Sequence, residues 1–341
     1  MPDLTAMAPR SPAGRAPARK NGSIRRTTSI DMHWPDGFGK PMCMTGLARD
    51  LLTGTDGATE VVEQAKTDMV VSFEREILKL SAGPNAPDLE RLIGVRGGGH
   101  SRAVIGEIFS DHASAGTLLS QLLDDFAGAS LVSGWVWSLW VDDWQTFLMD
   151  SGLIKHIGAQ GVVEGICTGF APGSSALAVD GTPNNNMQKS VPVVELTDPC
   201  DPLGWHAMPD QLGTTMRRAR RIDIWHEGDL LHIDAGFQDS GISPDGNRVA
   251  IHEYSLRATA NRADGTLLTL TPKAHILPFP ECPGAIAHAQ VMVGQKLADL
   301  RASVLDQLKG TSGCTHLNDV LRSLGPASHL AGRLEAGITR L

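Results

Sequence analysis

The sequence predicts an α+β fold made of two tandem related domains, each an antiparallel sheet followed by helices, packed together as a pseudo-dimer. The first observation is that the chain is written twice. Arg25, Arg26, Ile30 and Asp31 fall on Arg217, Arg218, Ile222 and Asp223 without a gap, and Asp50 falls on Asp239 after a short deletion. Further along, Thr117, Leu119 and Leu123 fall on Thr315, Leu317 and Leu321, and Pro84-Asn85-Ala86-Pro87 stands where Pro280-Glu281-Cys282-Pro283 stands later. Matching order at three separated places points to duplication. The second observation is a series of strand-like runs divided by turn residues, and the third is a set of helical periodicities that follows them.

The elements can be justified in order. Residues 1–28 hold six basic residues and the single acid Asp3, and read as a disordered basic tail. The first repeat, 29–130, alternates strand-like and polar pieces, with helices predicted near Ala86–Ile93, Ser101–Phe109 and Thr117–Phe126. Residues 131–210 belong to neither repeat: a Trp-rich apolar segment is followed by a Pro- and Gly-punctuated connection. The second repeat, 211–341, offers strands RIDIWHE, LLHIDAGFQD, RVAIHEYSLRATAN and TLLTLTPKAHIL, the last two joined by an Asp-Gly turn. Helices over Ala285–Val293, Leu297–Leu308 and Thr315–Leu324 complete it.

Composition narrows the function classes. The net charge of −8 divides into about +5 on the tail and −13 on the remainder, and an acidic body argues against nucleic-acid binding. No apolar run is long enough for a membrane span. Five cysteines with no C-x-x-C read as reduced thiols in a cytoplasmic protein. No G-x-G-x-x-G after a clear strand, P-loop, G-x-S-x-G or H-E-x-x-H motif is present, so no nucleotide or other cofactor and no metal is expected.

The first repeat serves as a control for the second. Cys282, Cys314 and His316 stand where the first repeat has Ala86, Gly116 and Leu118, so the shared fold does not require them. With Thr315 as the N-cap of the following helix, the free N–H groups there would lower the pKa of the Cys314 thiol and of His316. Alternation on a strand puts His252 and Tyr254, the sole tyrosine, on one face and Glu253 on the other. Asp31, Asp50 and their counterparts suggest structural pairs with the matched arginines, while Asp239 also faces the candidate site. Trp137, Trp140 and His206 are candidates for a pocket wall. The alternatives are buried structural thiols, a core or dimer role for the tryptophans, and a zinc site from Cys282, Cys314, His316 and His288.

Arg218, Arg221-Ile222-Asp223, Ile251-His252-Glu253-Tyr254, the run Leu277–Pro283 and Gly313-Cys314-Thr315-His316-Leu317-Asn318-Asp319 carry a resemblance. Over roughly residues 215–330 the chain resembles a bacterial family of unknown function that closes on Gly-Cys-Thr-His-Leu. The resemblance implies a soluble bacterial protein and supplies no reaction. The residues themselves point to a cofactor-independent dehydratase, isomerase or lyase using Cys, His, Tyr and Asp on a small hydrophobic molecule. A non-catalytic binding or assembly protein, a homodimer among them, and acyl transfer by a cysteine nucleophile are the alternatives.

Overall fold

The computed structural model describes residues 7–83, 86, 89–110, 116–151, 163–179, 181–184 and 190–338. Period-two alternation governs the strands. In β1 (Ser23–His33), Ile24, Ile30 and Met32 enter the helix-covered core, whereas Arg25 and Asp31 form ion pairs on the other face. Residues 23–28, expected in a disordered tail, are therefore strand and buried. The tail prediction counted charge and missed that these arginines are neutralised by partners on distant strands.

The strands of the two halves join in one sheet. β2 (Met42–Thr53), β3 (Thr59–Val71) and β4 (Ile77–Ala82) follow β1 as antiparallel hairpins. β6 (Thr215–Glu227), β7 (Leu230–Ile242), β8 (Arg248–Asn261) and β9 (Leu267–Ile276) do the same, and β5 (Val191–Pro192) adds a short edge beside β8. β1 pairs antiparallel with β6, so one nine-stranded sheet runs through both.

The register at that seam is symmetric. Arg25 lies opposite Asp223, and Asp31 opposite Arg217. Each guanidinium clamps its aspartate at 2.5 Å through Nε, and each also donates to a proline carbonyl eight residues earlier, Pro17 or Pro209, at 2.7 Å. Register shifts also correspond: one falls at Asp50/Leu51 between β2 and β3, and one at Asp239/Ser240 between β7 and β8.

Helices cover one face. α1 (Gly99–Ile108) and α2 (Leu118–Val132, capped by the Thr117 hydroxyl on the Ser120 N–H) pack on the first four strands. α3 (Trp137–Trp140) and α4 (Trp144–Asp150) continue from them. α5 (Ala285–His288), α6 (Leu300–Gln307), α7 (Thr315–Arg322) and α8 (Ala327–Ile338) cover the second half. The helix expected over Ala86–Ile93 is a single 3-10 turn, Glu90–Leu92, and residues 87 and 88 of that segment lie outside the described residues. No helix among the described residues is long and apolar enough to cross a membrane.

A chain of buried charges fastens α2 and α7 to the sheet. Arg218 of β6 reaches Asp239 at 2.8 Å and Asp319 of α7 at 2.7 Å. Asp319 also pairs with Arg322, which holds Asp124 of α2 at 3.1 Å. Arg220 joins the same layer through Asp125 at 2.7 Å. Such bridges contribute position more than stability, because desolvating each charge offsets most of the attraction.

Candidate active site

At the end of the sheet where β8 begins, a cavity of about 360 Å³ opens between the strands and the Trp-rich segment. Its wall is aromatic. Phe38 touches Phe73, Trp137, Trp144 and Phe147 with ring centres 5.1–5.7 Å apart, and Trp137 also meets Trp34 edge-on at 5.6 Å. Its floor is polar and comes from three elements: His252 from the bulged start of β8, Cys282 from the turn before α5, and Cys314 and His316 from the start of α7. A bulge is a usual device for re-aiming a side chain at a site, and here it sets His252 opposite Asp239.

Asp239 anchors this floor. It is wholly buried and accepts from Arg218 Nε at 2.8 Å, from Arg218 Nη2 at 2.9 Å and from His252 Nδ1 at 3.2 Å. Burial alone would raise its pKa, but the Arg218 guanidinium and the His252 hydrogen bond outweigh it and keep the carboxyl well below its ordinary value. An ionised Asp239 fixes the proton of His252 on Nδ1 and leaves Nε2 as the basic nitrogen. His316 stacks on His252 with ring centres 3.4 Å apart, and its Nε2 lies 3.7 Å from Asp239, buried and without a hydrogen-bond partner among the described residues. Burial, reinforced by His252, holds His316 well below an ordinary histidine. Burial lowers His252 too, against the pull of Asp239. Both rings are therefore neutral at pH 7.

The thiols differ from the expectation. Cys314, rather than Thr315, is the N-cap residue of α7. Its sulfur does meet the His316 and Leu317 N–H groups, which favour the thiolate, but burial is the larger effect and raises its pKa. Burial lifts Cys282 well above the ordinary thiol value and Cys167 to about 11. Tyr254 donates its O–H to Cys314 Sγ at 3.6 Å, from a position beneath the thiol. These cysteines are proton-bearing at neutral pH.

Six of the nine expected site residues thus gather around one cavity: Cys282, Cys314, His316, His252 and Trp137 line it, and Asp239 braces its floor. Tyr254 touches the site through Cys314. Trp140 is not among the lining residues; it is partly exposed and donates its indole N–H to the Ile242 carbonyl at 2.7 Å. His206 lies on the opposite face of the sheet, bonded to Thr27 at 2.9 Å and Ser29 at 2.8 Å. His288 bonds the Ser312 carbonyl at 3.0 Å, apart from the thiols.

Sequence reasoning missed Cys167, Asp319 and the part of the wall made by Trp34, Phe38 and Phe73, because none of them carries a motif that marks it in the sequence. Among the described residues, Asp239, His252 and His316 form the group whose ligand atoms, all within 4.8 Å, could hold a metal ion. Arg218 already occupies both oxygens of Asp239, which disfavours a second cation there.

His206 carries a pH dependence. Burial, reinforced by Arg49 and Arg217, pushes its pKa down from 6.5 to about 3. Because the folded value is depressed, its neutral form supports the fold above pH 6.5 and that support fades as pH falls towards 3. The loss between about pH 6.5 and 4.5 is on the order of 2–3 kcal/mol. Urea denaturation across that interval should show the slope, and His206→Asn should flatten it; an unchanged slope would contradict the assignment.

Residues 216–329 match a family model described as a protein of unknown function, DUF2889. That span carries Arg218, Asp239, His252, Tyr254, Cys282, Cys314, His316 and Asp319, whereas Trp34, Phe38 and Trp137 of the wall lie outside it. No curated protein matches the chain, and no solved structure does.

Proposed function

We propose that the protein is an enzyme that moves protons on a small hydrophobic molecule, as a dehydratase, isomerase or lyase. The observation that carries this reading is the Asp239–His252 pair, stacked on His316, at the polar floor of an aromatic-walled cavity. His252 accepts a proton from the substrate through Nε2, and Asp239 supports the imidazolium that forms. The Cys314 thiol, held by Tyr254, delivers a proton at the other end of the reacting group. Raised thiol pKa values favour this acid role over acyl transfer by a thiolate.

The two halves are proposed to descend from one unit, with the sheet as the seam of a pseudo-dimer. The paired Arg–Asp clamps and matching register shifts support it. In the first half, Asp50 lies opposite Glu63 and both face Arg333, which donates to His329 of α8 at 2.9 Å. The stacked pair His252–His316 belongs to the strand and helix of the second half.

The test begins with ligands that raise the melting temperature. Each is incubated with the protein in D2O and its protons followed by NMR. The wild type should introduce deuterium or form product, and His252→Gln should slow this at least about 100-fold while still binding the ligand. Ligands that bind and never exchange or react would favour a binding protein. A stabilising response to zinc that vanishes in His316→Ala would favour a metal centre on the same residues.

A further inference from the structure

Arg75 sits in the turn between β3 and β4 and lines the cavity described above. Its φ is 70°, and it is the sole non-glycine with a positive φ among the described residues. The corresponding turn between β8 and β9 shows what the backbone needs. There Gly265 has φ 68° and its carbonyl accepts from the Leu297 N–H at 2.9 Å, as the Arg75 carbonyl accepts from the Gly97 N–H at 2.8 Å. The flanking residues bridge alike, Glu76 with Arg96 and Thr266 with Lys296. Glycine is the relaxed solution for this conformation, and an arginine holds it against steric resistance. Strain of this kind collects where a side chain is needed for function.

The guanidinium is also without an anion. Arg26, Arg218, Arg220 and Arg322 all pair with carboxylates in the interior. Arg75 makes no ion pair or side-chain hydrogen bond among the described residues, and its Nε is buried without a partner. Burial, with Arg96 and Arg102 nearby, lowers its pKa to about 10, which leaves it charged at neutral pH. A cation beside an aromatic cavity, with cations for neighbours, is a receptor for an anion. Its planar fork fits a carboxylate in two hydrogen bonds.

We infer that the ligand of this cavity is an amphipathic carboxylate, its apolar body against the aromatic wall and its carboxylate on Arg75. This rests on the reading of the cavity as a substrate site and adds the substrate class: a hydrophobic acid whose carboxylate fixes which carbon meets His252 and His316.

Calorimetric titration with naphthalene-2-carboxylate and its uncharged isostere naphthalene-2-carboxamide tests it, using wild type and Arg75→Gly. The glycine variant suits the backbone, so its melting temperature should hold or rise. The wild type should prefer the carboxylate at least tenfold, and Arg75→Gly should abolish that preference while binding the amide as before. Equal wild-type affinities, or a preference that survives in Arg75→Gly, would overturn the carboxylate assignment and leave the cavity reading intact. Failure of both probes to bind the wild type would overturn the two together.

Discussion

Arg218→Met is expected to lower the unfolding free energy at pH 7 by about 3–5 kcal/mol, the usual cost of removing one partner from a buried ion network. Arg218 is 1% exposed at its side chain, and Asp239 and Asp319, which it holds together, are both fully buried. Methionine keeps the volume of the aliphatic stem and leaves two carboxylates facing each other without a shared cation. The pH dependence identifies the cause. In the wild type both aspartates lie well below their ordinary pKa, so their support is present above that value and is lost as pH falls through the depressed one. In the variant they become easier to protonate, and acid relieves the repulsion. The stability gap between the two proteins should therefore narrow from pH 7 towards about pH 4, as read by urea denaturation. A gap that stays constant would mean lost packing and not lost charge compensation. The same substitution should disorder His252, because Asp239 would no longer be held in place.

Gly128→Ala is expected to destabilise by at least about 2–3 kcal/mol, reversing the sign normal for a glycine inside a helix. Gly128 lies within α2, where an added Cβ would come within 2.1 Å of Arg218 Nη1 and 2.2 Å of Asp319 Oδ2. Neither group can move, since each is fixed by two or more charged partners in the buried network. Gly332 of α8 is the control, because a Cβ there would meet nothing within 4 Å. Gly332→Ala should stabilise by about 0.5–1 kcal/mol. Thermal melts of both variants would check the contrast. Two substitutions of the same sign would show that α2 can shift away from the sheet.

Much of the site was legible because the two halves of the sequence could be set against each other. Cys282, Cys314 and His316 stood out as chemistry that a common scaffold does not need, and they converge with His252 on one floor. The alternation in β8 also gave the right faces: Tyr254 points at Cys314, while Glu253 binds the Ala13 N–H on the far side at 2.7 Å. The ionisation of the thiols was misjudged. A helix N-terminus favours a thiolate, but the sequence does not display how completely Cys314 is buried, and burial is the stronger effect here. His206 was misplaced because a loop's composition does not reveal which face of a sheet it crosses. Arg75 attracted no notice, since φ is a property of the folded turn.

What the sequence alone determined is local or comparative: strands of alternating character, the turns that divide them, the helices that follow, and the residues by which the two halves differ. These depend on spacing and residue type, which a single chain records. The tertiary structure decided that the halves share one sheet, that Asp239 is bound at once to Arg218 and His252, and that a Trp-rich segment walls the cavity they face. Each of those facts joins residues far apart in the chain through burial and charge compensation, and the strength of both is set by surroundings that exist only once the fold has closed.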